Sequence, residues 1–170
     1  GALSYSWDNG QSTPIASNLS IGTYQLYVTD GNGCLVNESI EITQPTQLVV
    51  AVTGTNAICH NALGSAVASA TGGTGSLAYQ WSNGETTTSA NDLSAGDYTV
   101  VVTDESSCKD SVNVTITQPT PLNISSVITA SPLCYGDKGS ASATVTGGTG
   151  AISYLWNNAQ TSAIASDLII

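Results

Sequence analysis

The sequence predicts an all-β chain of tandem immunoglobulin-like (PKD-like) β-sandwich repeats, each of about 74 residues. One stretch recurs three times: TGGTGSLAYQWSNG from Thr71 to Gly84, TGGTGAISYLWNNA from Thr146 to Ala159, and GALSYSWDNG from Gly1 to Gly10. Trp7, Trp81 and Trp156 set the spacing, 81 − 7 = 74 and 156 − 81 = 75. That is the size of a small domain and exceeds the ~20–50 residues of a solenoid repeat. Within the stretch apolar residues fall on alternate positions: Leu77, Tyr79, Trp81, then Ile152, Tyr154, Trp156, then Leu3, Tyr5, Trp7. A period of two means a strand with one buried face. The chain therefore reads as the C-terminal part of one repeat (1–45), a complete repeat (46–119) and the N-terminal part of a third (120–170).

Within the complete repeat the first strand is expected over Leu48 to Thr53, with Leu48, Val50 and Val52 on one face. A loop holding Cys59 leads to a second strand, Gly64 to Ala70, whose inward residues Ala66, Ala68 and Ala70 match Ala141, Ala143 and Val145. Small residues there leave room for the indole of Trp81, which needs a partner for its N–H when buried. After the Asn83-Gly84 turn, the Thr/Ser-rich run to Asn91 is expected to be a weak edge strand, polar on both faces. A second signature follows, LSAGDYTVVVTD from Leu93 to Asp104, matching LSIGTYQLYVTD from Leu19 to Asp30. Its Leu-x-x-Gly-x-Tyr pattern reads as a tyrosine corner, with the Tyr hydroxyl bonded back to the preceding turn. Trp7, Trp81, Trp156, Tyr24 and Tyr98 are thus the expected core anchors. The last strand, Ser111 to Thr117, points Val112, Val114 and Ile116 inward and runs into Gln118-Pro119, as Ile42 runs into Gln44-Pro45. Short, proline-stiffened linkers between about seven-stranded units predict a semi-rigid rod.

Composition narrows the function. Charged residues are 8% of the chain and the net charge is −10, with Lys109 and Lys138 the only basic side chains. Such a surface opposes nucleic acid and anionic membrane as partners. Apolar residues at 41%, in clean alternation, indicate folded β-structure in place of disorder.

Four cysteines recur two per repeat, Cys34 and Cys108 after the Asp turn and Cys59 and Cys134 after the first strand. Repetition at matching places suggests an oxidising, extracellular setting. Pairing within the repeat joins Cys59 to Cys108 and leaves Cys34 and Cys134 to partners outside the chain. In a regular immunoglobulin topology those loops lie at opposite poles, so staples between neighbouring repeats are the alternative. Pairing Cys34 with Cys59 is opposed by the extended strands that carry them apart.

The Asp30 and Asp104 turns are candidates for Ca²⁺, but Asp30-Gly31-Asn32 becomes Asp104-Glu105-Ser106 and the ligand pattern is not kept; zinc is opposed by cysteines far apart in sequence and a single histidine, His60. Asp as a turn former is the plainer reading. Exposed aromatics of a carbohydrate site would be Tyr27 and Tyr135, whose counterparts are Val101 and His60. Catalysis lacks support, because His60 is the only histidine and no nucleophile with a base recurs.

Together, C-x4-G-S-A, G-G-T-G-x-x-x-Y-x-W-x-N-G, L-x-x-G-x-Y-x-V-x-V-x-D and I-T-Q-P resemble the SprB repeat of Bacteroidota gliding-motility adhesins, over the whole chain. The resemblance implies a very long, repetitive cell-surface protein, exported by the type IX secretion system and displayed on the outer membrane of a bacterium. In gliding species such proteins are carried along the cell. The expected function is a structural stalk; the alternative is a carbohydrate-binding module, Ca²⁺-assisted or not, of a secreted protein. Expected partners are neighbouring repeats of the same chain, surface polysaccharide or other filament subunits, with no direct membrane insertion. Asp110-Ser111-Val112 resembles the O-glycosylation motif of these bacteria, making Ser111 a candidate acceptor.

Overall fold

A computed structural model describes residues 1–169, and among them every regular element is a β-strand. The twelve strands form four three-stranded antiparallel sheets. By compactness the chain divides into two units, Gly1–Gln47 and Leu48–Ile170.

The first unit is one sheet of β1 (Ser4–Trp7), β2 (Gly22–Thr29) and β3 (Leu35–Ile42), in that order. Trp7 lies opposite Leu26, and its indole N–H donates to Thr13 O at 3.0 Å. The Tyr24 hydroxyl donates to Ser20 O at 3.1 Å, closing the turn before β2.

The second unit holds a complete sandwich. One layer is β4 (Val49–Thr55), β5 (Gly64–Thr71) and β7 (Ser89–Leu93), ordered β4-β5-β7. The other is β6 (Ala78–Trp81), β8 (Gly96–Thr103) and β9 (Lys109–Ile116), ordered β6-β8-β9. The faces that alternation marks as apolar are the faces that meet. Leu48, Val50, Ala66 and Ala68 pack with Trp81, Val100, Val102 and Ile116 in one core. Trp81 is 1% exposed against the buried methyls of Ala66, Ala68 and Ala90, and its N–H donates to Thr87 O at 2.8 Å. An indole in a site lined by small residues with its polar atom satisfied is the favourable way to bury so large a ring. The Tyr98 hydroxyl donates to Ser94 O at 3.1 Å.

Two expectations change in the complete repeat, and in the segment that follows it the alternating stretch Ile152 to Trp156 forms no strand. The repeat has six strands, fewer than the seven anticipated, because Glu85 to Thr88 forms no strand of its own. The run after it is not polar on both faces: in β7, Ala90 and Leu93 are both fully buried. Asp92 stands between them at φ +52, a left-handed kink that Asp tolerates better than most residues. The kink breaks strict alternation and lets residues three apart face the same core, with a register shift opposite Gly64 to Ala66.

The strands β4 and β9 also run side by side in one direction at the edge of the sandwich. Val50 N–H donates to Asp110 Oδ2 at 2.8 Å, a Cβ on Gly54 would stand 2.7 Å from Val114 Cγ2, and Ala57 N–H donates to Thr117 O at 3.0 Å. Each pair is 60 residues apart, a constant parallel register.

Beyond the sandwich the same unit continues into β10 (Asn123–Ala130), β11 (Gly139–Thr146) and β12 (Ile164–Leu168), ordered β10-β11-β12. Leu122, Ile124, Val127, Val145, Tyr154 and Trp156 border an open apolar recess of about 430 Å³ on this sheet. The Trp156 N–H donates to Ser162 O at 2.8 Å, the same six-residue reach as at Trp7 and Trp81.

Candidate functional site

The two ends of the complete repeat carry its polar chemistry. At one end the β8–β9 turn is built on Asp104, the one buried polar or charged residue among those described. Its Oδ1 accepts the Cys108 N–H at 2.8 Å, while its Oδ2 accepts the Thr74 N–H at 2.8 Å and the Thr74 hydroxyl at 3.0 Å. The carboxylate thereby ties the Gly72–Gly75 loop to the turn. Thr74 Oγ1 also lies 2.6 Å from Ser106 Oγ, and Glu105 N–H donates to Thr74 O at 3.1 Å. Gly73 at φ +71 permits the approach, since a Cβ there would come within 3.1 Å of Asp104 Oδ2.

Burial raises the Asp104 carboxyl, but the N–H groups of Thr74, Cys108 and Ser106 and the Thr74 hydroxyl stabilise its charged form more, and it titrates below 3.8. Asp30, its counterpart in the first unit, is also held below 3.8, first by the Cys34 N–H and then by that of Asn32. Donors, not lone pairs, surround both carboxylates. Among the described residues no group of three or more His, Cys, Asp or Glu side chains could hold a metal ion.

At the other end the β4–β5 connection meets the exit from β9. Asn61 N–H donates to Gln118 Oε1 at 2.8 Å, and His60 Nδ1 lies 3.2 Å from Pro119 O. The Thr117 N–H donates to Asn56 Oδ1 at 2.8 Å. From the following segment, Thr149 Oγ1 donates to Ile58 O at 3.4 Å and Gly148 N–H to Thr120 O at 3.0 Å. Cys59, His60, Pro119, Leu122, Gly148 and Thr149 are among the residues bordering a recess of about 390 Å³ at this junction.

The disulfide expected between Cys59 and Cys108 is not formed. All four cysteines are exposed and free. Cys108 precedes β9 and Cys59 sits in the loop tied to its far end, so the eight residues of β9, ~26 Å at ~3.3 Å each, separate them. A bridge requires Cα atoms about 4.4–6.8 Å apart.

The remaining candidates stand singly. Tyr135 is fully exposed in the β10–β11 connection and Tyr27 is exposed on β2, in the other unit. Ser111 is exposed on β9 opposite Val101, and its N–H donates to Asp110 Oδ1 at 2.9 Å. What the sequence reading missed is the clamp from Asp104 to Thr74. Its signal was present, because Asp stands four residues before the cysteine in both Asp30 and Asp104, and Thr follows Gly-Gly in both Thr74 and Thr149.

The family model for the SprB repeat matches residues 51–86 and 126–161. At these two places the chain matches the SprB repeat. Both matches begin in the first strand of a repeat and end just past its tryptophan turn, and they are offset by 126 − 51 = 75 residues. SprB repeats are structural repeats of adhesin-like cell-surface proteins and are not an enzyme family. No curated protein matches the chain.

Proposed function

We propose that these SprB repeats are stalk units of a long secreted surface adhesin or filament. They give length and pass tension toward an adhesive tip, in gliding where the cell glides. The observation that carries this reading is the junction after the complete repeat. There Gln118-Pro119-Thr120-Pro121 leaves little free chain: Asn61 and His60 hold Gln118 and Pro119 on one side, Gly148 holds Thr120 on the other, and the bond from Thr149 to Ile58 crosses from one repeat to the next. A binding module on a flexible tether has no need of such a joint. On this reading the boundaries fall near residues 45 and 119, the partners are neighbouring repeats and other surface material, and the protein works outside the cell at the outer membrane. Neither metal nor catalysis is required.

Single-molecule extension and a polysaccharide panel test it together. A stalk unfolds repeat by repeat under load and shows no saturable glycan binding. Saturable binding by the folded chain, lost on changing Tyr135 or Tyr27 to Ala, replaces this reading with that of a carbohydrate-binding module.

A further inference from the structure

We infer that successive repeats are stapled by a disulfide from the Cys59 position of one repeat to the Cys108 position of the next. The inference rests on the extracellular reading above only for its oxidising environment. Its geometry comes from two ends of the fold. Cys59 sits at the exit end of its repeat, bordering the recess formed with Pro119, Leu122, Gly148 and Thr149. Gly148-Thr149 is the third repeat's copy of Gly73-Thr74. In the complete repeat that loop is bound to the turn ending in Cys108, through Thr74 to Asp104 and Ser106. A repeat that follows and closes its own turn in this way therefore brings the Cys108 position to the loop that already touches Ile58 through Thr149. The same topology that keeps the two cysteines of one repeat apart along β9 collects one from each of two repeats at a single joint. Both cysteine positions are exposed, so an external oxidant reaches them.

The chemistry needs a disulfide oxidant, such as oxidised glutathione or a thiol–disulfide oxidoreductase. One thiolate attacks the oxidant's disulfide and expels a thiol, giving a mixed disulfide. The second thiolate attacks the protein sulfur of that intermediate, forms the Sγ–Sγ bond and releases the other thiol. Two protons leave the cysteines and two electrons pass to the oxidant.

The core of the complete repeat is closed within residues 48–116, so two copies of residues 46–119 joined end to end make the test protein. In one form Cys108→Ser in the first copy and Cys59→Ser in the second leave only the proposed pair. In the control form Cys59→Ser in the first copy and Cys108→Ser in the second leave the opposite pair. Folding of both is checked by buried-tryptophan fluorescence. With oxidised glutathione, the first form loses both free thiols and peptide mapping recovers the linked Cys59 and Cys108 peptides from one molecule, while the control keeps both thiols. A folded first form that retains both thiols, or a control that closes equally well, overturns the staple. Neither result touches the stalk reading, whose test is extension and glycan binding.

Discussion

Trp81 is the largest side chain fully buried in the sandwich. The indole fills the space left by Ala66, Ala68 and Ala90, and its N–H reaches Thr87 O. Trp81→Ala is expected to cost roughly 3–5 kcal/mol, read by chemical denaturation of the chain. A loss below about 1 kcal/mol would mean that the neighbouring strands close over the cavity. Asp104 is the polar counterpart of this anchor. Because its carboxyl titrates below 3.8 when folded, the unfolded chain takes up the proton first as the pH falls. The clamp's contribution is complete above the ordinary carboxylate value and disappears as the pH drops through the lower folded value. Asp104→Asn should flatten the acid limb of the stability curve below about pH 4 relative to the parent. Amide hydrogen exchange at Thr74 and Cys108 should quicken in Asp104→Ala and leave the centre of β8 protected, a pattern that global destabilisation does not give.

At the scale of the strand, alternation carried most of the information. Val50, Ala66, Ala68, Val100, Val102 and Ile116 all face the core because nothing interrupts the period of two within their strands. Legibility failed where the backbone leaves that period. β7 reads as polar because Asp92 turns left-handed, so Ala90 and Leu93 share a face that a two-residue count separates. The clamp from Asp104 to Thr74 was hidden for another reason, since contacts 30 residues apart leave no local pattern. The pairing of Cys59 with Cys108 failed because recurrence in sequence says nothing about which end of a strand a loop occupies. Gly64 tests the close approach at the start of β5. A Cβ there would collide with Thr55 O and stand 2.7 Å from Ile116 Cγ2. Gly64→Ala should therefore destabilise by about 1–3 kcal/mol, by overpacking in a site with backbone on one side. An unchanged melting midpoint would show that β4 can move outward there.

For the chain as a whole, two lysines in 170 residues make tryptic cleavage a simple report on local order. Lys138 lies exposed just before β11 with an ion pair to Asp167, whereas Lys109 begins β9 opposite Thr103. Surface ion pairs hold little, so limited digestion should cut after Lys138 well before Lys109. Mass spectrometry of the first fragments checks the order, and early cleavage after Lys109 would mean that the β8–β9 hairpin frays. The path of the chain through the complete repeat has a mechanical outcome. The chain enters along β4 and leaves along β9, and the two lie in parallel register from Val50 beside Asp110 to Ala57 beside Thr117. A pull on the two ends slides these strands past each other lengthwise, in shear, so that the bonds at both ends and the side chains interlocked around Gly54 must give way together. Strands drawn apart from one end yield a bond at a time and at low force. The sandwich is loaded in the other geometry, the one in which a small domain with a modest core resists most.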